Sequence, residues 1–521
     1  MKFISRRQML KIFGAGAAGA MVVPLISRAQ SPGSFLNPLL IPPLEQGVMT
    51  QDEGGLTRRR FELTLQQGKT RFLPDTDTNT LGINGSYLGP TLRARRGDIL
   101  DIQVNNRIGE ESVLHWHGMH VPPRFDGGPM QSIADQGSWN PVFDVRQQAG
   151  TLWYHSHAMH KTGPQVYNGL AGMMILDDDV SDALDLPSRY GVDDIPLILR
   201  DKRFDRDGQF QYKSRFIDTM IGQHGNVMMV NGTISPFFDA VTDKLRLRIL
   251  NGSNARMYNL VFQDGREFLQ IASDGGLLQK PVVLSRLLLL PGERAELIVD
   301  LGDGRPAVLR SQASENHFPE FPGAFSQGMK QMHSEEFDII EFRPRAQPER
   351  LPPIPEILVA LPVADDSIAI KTRRMVLNMG YGSRGGGSQG PAMGLRNGHG
   401  GGYGGGFFGI NGRAMAMDYI NERVRLGDTE IWEIFNRTPM VHPFHIHGNQ
   451  FRVLDRNGSP PPAQEAGYKD TVHVHPQETV RVLMSFKDFA DDMAPFMYHC
   501  HMLEHEDLGM MGQFLVTESG A

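Results

Sequence analysis

Short segments in which apolar and polar residues alternate recur along the chain, and turns rich in glycine, proline and asparagine separate them. The segments ILDIQV (99–104) and KLRLRIL (244–250) both have the two-residue period of a strand with one buried face. Short strands of this kind between such turns are typical of sheets packed face to face. The pattern therefore predicts an all-β protein built from β-sandwiches.

A longer pattern occurs three times and divides the chain. Each copy has an Asn-Gly turn, a charged alternating strand, a second turn that contains asparagine, and another apolar strand; the copies begin at Asn84, Asn231 and Asn411. In the first and third copies, 31 residues separate this asparagine from a histidine, His115 or His442, whereas the second copy has no histidine at that place. The repeat predicts three consecutive β-sandwich domains.

The predicted domains span residues 50–185, 186–350 and 351–521, which suits a chain of 521 residues. Within the third domain, residues 380–409 are rich in glycine and low in sequence complexity. This composition predicts a mobile surface loop, and a lid or a metal-gathering loop is the alternative.

The composition also narrows the classes of function. A formal net charge of −7 gives no basic surface for nucleic acid, so a nucleic-acid partner is not expected. No segment after the first 30 residues reaches the roughly 18 uninterrupted apolar residues of a membrane helix. The single cysteine, Cys500, cannot form an internal disulfide, so it is a buried apolar residue, a nucleophile or a metal ligand.

The first 29 residues have the features of an export signal. The charged start MKFISRRQMLK contains the adjacent Arg6 and Arg7, an apolar run follows, and small residues end the segment near Ala29. This resembles a twin-arginine signal, and an ordinary secretory signal or a basic tail is the alternative. The segment predicts a periplasmic protein that is not inserted in the membrane after the signal is cleaved.

Histidines are concentrated in four short motifs. Ten of the 18 histidines lie in HWH, HSH, HPFHIH and HCHMLEH, which begin at His115, His155, His442 and His499. Residues i and i+2 of a strand point to the same face, so each His-x-His pair offers two imidazoles to one side. In HCH, the thiol of Cys500 then points to the opposite side and serves a different metal centre.

The thiol has suitable partners for a centre of its own. Cys500, His505, Met510 and one further histidine would form a site of two histidines, one cysteine and a weak axial methionine, which is the arrangement of blue copper electron-transfer centres. His442 is the further histidine, because it is left over when the His-x-His pairs are counted. Zinc accepts cysteine and histidine as well, but it has no use for the methionine.

The other eight histidines could hold three metal ions and leave open positions for a small ligand. They are His115, His117, His155, His157, His445, His447, His499 and His501. A single His-x-His pair is more often a packing or surface pair than a metal site. Four clusters confined to the first and third repeats argue against that interpretation. Of the solitary histidines, His473 and His475 share a strand face and are the best candidates for an adventitious metal.

These motifs together give the chain a specific resemblance. HWHG, WYHSHAMHKTG, HPFHIHG and HCHMLEHEDLGM resemble the motifs of bacterial multicopper oxidases of the periplasmic copper-efflux and laccase-like branch. The resemblance implies three cupredoxin-like Greek-key domains and four copper ions. The type 1 ligands would be His442, Cys500, His505 and Met510; the type 2 ligands His115 and His445; the type 3 ligands His117, His155 and His501 for one ion, and His157, His447 and His499 for the other.

The resemblance also implies a mechanism. A reductant would lose one electron at a time at type 1 copper, Cys500 would pass the electrons to His499 and His501, and O₂ would be reduced to two waters at the trinuclear cluster. Asp126 and Glu506 occupy positions similar to the family's proton-delivery acids, and a solvated or salt-bridged carboxylate is the alternative for each. The expected partners are O₂ and a small reductant, and the expected oligomeric state is a monomer.

Two methionines bear on the identity of the substrate. Met379 and Met440 align with the methionines of the family's outer-sphere Cu(I) site, but its aspartate positions appear here as Arg384 and Thr438. Met393 and His399 are isolated soft candidates in the glycine-rich loop, and core packing is the alternative for the aligned methionines. Oxidation of Cu(I), or of Mn(II) or Fe(II), in copper tolerance is the first hypothesis.

Three other interpretations of the function stay open. Laccase-like oxidation of phenols is the main alternative. A non-catalytic envelope protein would resemble degenerate relatives that stabilise division complexes, but those relatives have lost copper ligands that this chain keeps. A copper nitrite reductase would need only two cupredoxin domains and no HCH motif that connects two metal centres.

Overall fold

A computed structural model describes residues 35–51, 54–213, 215–313, 335–380 and 408–518. The predicted export signal at 1–29 lies outside the described residues, as do most of the 380–409 loop and its Arg384, Met393 and His399. No helix among the described residues is long and apolar enough to cross a membrane.

The first sandwich has two sheets, ordered β10-β7-β4-β3 (with β5 on β4 and β9 on β7) and β2-β6-β12-β11-β8. Its core contains side chains from both sheets, such as Leu63 and Ile102 from one and Leu152 and Met174 from the other. The strands are β2 (Leu44–Glu45), β3 (Val48–Gln51), β4 (Thr57–Leu73), β5 (Thr76–Ile83), β6 (Thr91–Arg95), β7 (Ile99–Arg107), β8 (Leu114–His117), β9 (Ser138–Trp139), β10 (Val142–Asp144), β11 (Gly150–Ser156) and β12 (Ala171–Asp177).

The second sandwich is built in the same way, from sheets ordered β1-β16-β24-β23-β18-β21 and β15-β14-β13-β17-β22-β19-β20. Leu197 and Leu247 from one sheet meet Leu260 and Phe342 from the other in its core. The strands are β1 (Asn37–Pro38), β13 (Asp194–Lys202), β14 (Val227–Val230), β15 (Thr233–Ile234), β16 (Pro236–Thr242), β17 (Lys244–Asn251), β18 (Tyr258–Phe262), β19 (Phe268–Ser273), β20 (Gly276–Leu284), β21 (Leu287–Leu289), β22 (Arg294–Asp300), β23 (Ala307–Ser311) and β24 (Phe337–Glu349).

The third sandwich has sheets ordered β26-β25-β28-β33-β30-β31 and β27-β35-β34-β29-β32. Met375 and Trp432 from one sheet pack with Phe444 and Tyr498 from the other. The strands are β25 (Lys371–Met379), β26 (Phe408–Ile410), β27 (Glu422–Arg425), β28 (Thr429–Asn436), β29 (His442–Ile446), β30 (Phe451–Arg456), β31 (Tyr468–Lys469), β32 (Thr471–Val474), β33 (Thr479–Ser485), β34 (Phe496–Cys500) and β35 (Met511–Thr517).

Among the described residues, helices are few and short. They are α1 (Thr162–Asn168), α2 (Asp179–Asp182), α3 (Phe216–Ile221) and α4 (Leu503–Asp507), with 3-10 turns at Pro123–Phe125, Pro129–Gln131, Asp366–Ile368 and Ala463–Glu465. The strands and sheets confirm the all-β prediction. The chain before residue 50 adds an edge that the sequence did not predict, because β1 pairs with β16 of the second sandwich.

The repeat has a physical basis in the Asn-Gly turns. Asn84, Asn231 and Asn411 all adopt left-handed backbone conformations, with φ of 54°, 50° and 53°, which asparagine tolerates better than most residues. In each copy the asparagine side chain accepts a hydrogen bond from the backbone of the first long strand of its sandwich. The donors are the amides of Thr64 (2.7 Å), Ile198 (2.8 Å) and Val376 (2.8 Å).

A buried ion cluster joins the first two sandwiches. Glu296 on β22 accepts hydrogen bonds from Arg246 Nε (2.8 Å), Arg248 Nη1 (2.9 Å) and, in the first sandwich, Thr151 Oγ1 (2.7 Å). Burial alone would raise the pKa of this carboxyl, but the two guanidinium groups and the hydroxyl outweigh it and lower the pKa from 4.5 to about 2.

We expect Glu296→Gln to lower the free energy of unfolding at pH 7 by about 3 kcal/mol, because each pKa unit corresponds to about 1.4 kcal/mol. A lowered folded-state pKa stabilises fully above the unfolded value of 4.5, and this stabilisation is lost as the pH falls toward 2. The difference between the variant and the parent in urea unfolding should therefore shrink in acid. The exposed Glu267→Gln is the control, and an equal effect of both changes would contradict the prediction.

Candidate metal centres

Two pairs of neighbouring strands carry the histidine motifs toward each other. In the first sandwich, β8 and β11 pair so that His115 lies opposite His155. In the third sandwich, β29 and β34 pair so that His445 lies opposite His499, with Cys500 as the next residue of β34. Side chains of paired positions share one face of a sheet, so each pair of strands presents several imidazoles to the same side.

The eight histidines outside the cysteine centre form one buried group, here called the eight-histidine centre. All of them have exposed fractions of 0%. Rings from the first and third sandwiches face each other, with His115 stacked on His447 at 3.8 Å between centroids and His117 stacked on His445 at 3.6 Å. Ligand atoms lie within 4.8 Å of one another in the sets His115/His117/His445, His117/His155/His501 and His157/His447/His499.

Backbone carbonyls orient several of these imidazoles. The Nδ1 atom of His115 lies 2.9 Å from the carbonyl oxygen of Asp126, that of His155 lies 2.8 Å from its neighbour Ser156, and that of His445 lies 2.8 Å from Asp470. A carbonyl can only accept, so each Nδ1 carries the proton and each Nε2 keeps its lone pair for a metal ion.

Many ring nitrogens of the centre have no hydrogen-bond partner although they are buried. They are Nε2 of His115, His155 and His445, Nδ1 of His117 and His157, and both ring nitrogens of His501. Leaving a buried polar atom unpaired costs about 1–3 kcal/mol, so such a concentration needs an explanation. Metal ions at the centre would supply the missing partners. The residues therefore fit the group that the motifs imply.

Protonation states agree with this interpretation. Burial lowers the pKa of all eight imidazoles, to about 3 for His157 and about 4 for His445. Histidine binds a metal ion only in its neutral form, so the centre is ready for cations at neutral pH. Nε2 of His499 lies 3.2 Å from that of His157 and 3.0 Å from that of His447, close enough for one ion to contact all three.

Cys500 faces a second centre, here called the cysteine centre. Its Sγ lies 3.2 Å from Nδ1 of His442 and 3.7 Å from Nδ1 of His505. Met510 is fully buried in the same core, and its backbone bonds to both Cys500 (3.0 Å) and His505 (2.9 Å). Burial raises the pKa of the thiol, so it needs a nearby cation to become a thiolate.

In both imidazoles of the cysteine centre, the ring nitrogen that does not contact Cys500 has a hydrogen-bond partner within the protein. Nε2 of His442 lies 2.7 Å from the hydroxyl of Thr438, which in turn donates to the carbonyl of Met440 (3.1 Å). Nε2 of His505 donates to the carbonyl of Met220 (3.1 Å), on α3 of the second sandwich. Thr438 therefore contacts the ligand histidine His442. The resemblance implies an aspartate at this position, and threonine has no carboxylate.

Asp126 and Glu506 both lie against imidazoles of the eight-histidine centre, and both are buried. Asp126 Oδ2 lies 2.7 Å from Nδ1 of His447. Glu506 Oε2 lies 3.2 Å from Nδ1 of His499, and its Oε1 lies 3.6 Å from Nε2 of His157. Burial raises the pKa of both carboxyl groups well above their ordinary values.

Met440 and Met379 lie in the third sandwich near the cysteine centre. Met440 is buried in the core that contains Cys500, and Met379 is half-buried against that core. The parallel pairing of β25 with β28 sets Leu377 beside Asn436. Met379 lies two residues after Leu377, and Thr438 lies two residues after Asn436.

A buried ion pair that no sequence motif predicts lies beneath the eight-histidine centre. Asp470 Oδ1 lies 3.0 Å from Nε2 of His117, while its carbonyl faces His445. Arg294 of the second sandwich donates to both carboxylate oxygens of Asp470, at 2.7 and 2.5 Å. The nearby Gly292 has φ +84°, and a Cβ there would approach the His501 ring to 2.9 Å.

Helix α4, which carries His505 and Glu506, is held by contacts to the other two sandwiches that no sequence motif predicts. Glu504 accepts hydrogen bonds from Tyr212 Oη (2.9 Å), Asn254 Nδ2 (2.9 Å) and the Gln223 amide (3.0 Å), all in the second sandwich. Asp507 accepts from the amides of Thr162 (3.0 Å) and Gly163 (2.9 Å) in the first sandwich. The helix between the two metal centres is therefore fixed from both sides.

Comparisons with known proteins agree with this geometry. Family models described as multicopper oxidase match residues 64–181 and 393–520. The chain is 33% identical to a Staphylococcus epidermidis multicopper oxidase over 88% of this chain and 89% of the relative. It is also 33% identical to the Pectobacterium atrosepticum cell division protein FtsP over 99% of both chains.

A solved structure gives the same result. The laccase-like multicopper oxidase CueO from a lignin-degrading Ochrobactrum species matches with a TM-score of 0.78 and 32% identity, over 92% of this chain and 100% of that one. The match confirms the three cupredoxin-like domains expected from the motifs, and the relatives confirm the resemblance. The chain belongs to the multicopper oxidase family and is a copper-dependent oxidoreductase.

Proposed function

We propose that the protein oxidises a small reductant at the cysteine centre and reduces O₂ to water at the eight-histidine centre, with four copper ions in all. The position of Cys500 carries this proposal. Its thiol contacts His442, while the two residues that flank it, His499 and His501, belong to two different sets of the eight-histidine centre. A few covalent bonds thus connect the two centres.

The distances between ligand atoms support the imidazole and thiol ligands proposed from the motifs, and Met510 is included because it is buried in the same core as Cys500. Type 1 copper would be held by His442, Cys500, His505 and Met510; type 2 copper by His115 and His445; the type 3 pair by His117, His155 and His501 and by His157, His447 and His499. When bound, copper would supply one-electron oxidation of the reductant and four-electron reduction of O₂. The chain supplies neutral imidazoles, a buried thiol, and carbonyls that fix the orientation of the rings.

Asp126 and Glu506 are the proposed proton carriers. Reduction of O₂ to water consumes protons, and both acids lie within 3.6 Å of imidazole nitrogens of the eight-histidine centre. Because burial raises the pKa of both carboxyl groups, they keep protons that an exposed acid would lose at neutral pH. Each can therefore hold a proton next to the centre.

A low-valent metal ion, above all Cu(I), is the proposed reductant. Nε2 of His442 and Nε2 of His505 both have hydrogen-bond partners within the protein, so neither ring nitrogen is free to bind an organic substrate. Thioethers suit Cu(I), and Met440 and Met379 lie in or against the same core. A role in copper tolerance after export to the periplasm, as a monomer, completes the proposal.

Two other functions have specific support. The similar Ochrobactrum enzyme has oxidase activity towards lignin model compounds, which favours laccase-like oxidation of phenols. The similarity to the cell division protein FtsP favours a non-catalytic role in the cell envelope. The complete set of ten histidines and Cys500, buried and grouped, argues against that second alternative.

We expect the double variant Met379→Leu/Met440→Leu to lose most Cu(I) oxidation and to keep its activity on a simple phenol, because leucine preserves volume but removes the thioethers. The measurement is oxygen consumption by the copper-loaded mature protein with each reductant. Met375→Leu, in the same core, is the control. Fast turnover of phenol with a Cu(I) rate unaffected by the double change would show that the protein is a laccase-like oxidase.

A further inference from the structure

Five methionines pack together beside the eight-histidine centre. Met415, Met497 and Met511 are buried, Met159 and Met417 are half-buried, and no other apolar side chain of the described residues belongs to this methionine cluster. The large cores, in contrast, mix methionine with aliphatic and aromatic residues. Packing alone does not require thioethers at every position, so the composition indicates a chemical role.

Three of these methionines lie next to ligand histidines in the chain or the sheet. Met159 follows His157 by two residues, and Met497 precedes His499 by two residues on the same face of β34. Met511 on β35 is the cross-strand partner of His499. The inner side of the methionine cluster therefore borders the set His157/His447/His499.

Met415 and Met417, in the outer part of the methionine cluster, belong to a loop that hydrogen bonds hold in place. Gln513 is buried, and its amide donates to the carbonyls of Met417 (3.0 Å) and Tyr419 (2.9 Å). The amide of Met415 donates to the carbonyl of Gly509 at 3.0 Å. These bonds hold the loop against β35, so its two thioethers are positioned before any ligand binds.

Buried carboxylate oxygens lie near the inner end of the cluster. A Cβ on Gly128 would lie 3.4 Å from Met497 Sδ, so the loop that begins at Asp126 packs against the methionines. Asp126 Oδ1 is buried without a hydrogen-bond partner, and the buried Glu506 contacts His499 and His157. Carboxyl oxygens can accept in either protonation state, so this end suits a cation better than an anion.

We propose that the methionine cluster binds Cu(I) on its way into the set His157/His447/His499, as a loading route separate from the reductant site at Met379 and Met440. Thioethers select Cu(I), and the half-buried Met159 and Met417 give access from the surface. Neutral thioethers bind more weakly than the imidazoles inside, so the ion moves inward. The proposal rests on copper being the metal of the eight-histidine centre, not on the identity of the reductant.

Silver tests the site directly, because Ag(I) shares the charge and ligand preference of Cu(I) and is not oxidised by the enzyme. Crystals of the copper-loaded protein soaked in Ag(I) should show anomalous scattering among the five thioethers. The triple variant Met415→Leu/Met497→Leu/Met511→Leu should lose this signal. Silver that binds only near Met379 and Met440, and not in the methionine cluster, would overturn the proposal.

Loading kinetics give a second readout that needs no reductant oxidation. When the copper-free full chain takes up Cu(I), the triple variant should fill the eight-histidine centre about tenfold more slowly, which corresponds to about 1.4 kcal/mol in the barrier. Leucine keeps the volume, so the variant should fold. Met174→Leu, in the core of the first sandwich, is the matched control. Equal loading rates for the triple variant and the control would overturn the proposal.

Discussion

Cys500→Ser should abolish oxidation of every reductant and remove the blue absorption of the copper-loaded protein. Serine fills nearly the same space, but its hydroxyl cannot replace a thiolate as the ligand for type 1 copper. The eight-histidine centre should keep its metal, since its ligands come from other side chains. Metal analysis should therefore find about one copper ion fewer per chain, and turnover should fall to the level of the copper-free protein.

His499→Ala is the complementary control for this prediction. It removes an imidazole of the eight-histidine centre and leaves the thiol, His442 and His505 in place. We expect this variant to keep its blue colour, to be bleached by the reductant, and to fail to recover colour in air. Blue colour in Cys500→Ser, or normal oxygen consumption in His499→Ala, would contradict the assignment of the two centres.

Arg294→Met should be among the most destabilising single changes in the chain. All five N–H groups of the guanidinium donate, to acceptors in three sandwiches: the Thr151 carbonyl in the first, the Gly292 and Asp274 carbonyls in the second, and both carboxylate oxygens of Asp470 in the third. Removing one partner of a buried ion pair costs about 3–5 kcal/mol, because the other charge stays buried and uncompensated.

The urea midpoint of the copper-free chain measures this effect, and Arg58→Met is the matched control. Arg58 pairs with Asp101 at 2.9 Å, but 41% of its side chain is exposed, so the same substitution there should cost about 1 kcal/mol or less. Copper uptake at the eight-histidine centre should also fall in Arg294→Met, since Asp470 contacts His117. Equal midpoints for the two variants would contradict the role of Arg294 in holding the three sandwiches together.

Features that depend on local sequence could be predicted. The alternating segments and the Asn-Gly turns gave the all-β class and the threefold repeat, because strand period and left-handed turns are properties of a few consecutive residues. The His-x-His motifs predicted paired imidazoles for the same reason. The opposite directions of Cys500 and its flanking histidines also follow from strand geometry, and the structure places them in separate groups.

Features that depend on contacts between distant segments could not be predicted. Arg294 and Asp470 are 176 residues apart, and neither belongs to a motif. Glu504 lies inside the HCHMLEH motif, but its partners come from two separate segments of the second sandwich, 250 to 292 residues earlier. The methionine cluster combines residues of the first and third sandwiches, so no window of the sequence contains it.

The ratio of reductant oxidised to O₂ consumed tests the central claim most directly. Copper-loaded protein with excess Cu(I) in an oxygen electrode should consume one O₂ for every four Cu(I) ions and release no hydrogen peroxide, because in the proposed mechanism the two connected centres would deliver four electrons to one O₂. A ratio of two Cu(I) per O₂ with accumulation of peroxide, or no oxygen consumption with any reductant, would contradict the account.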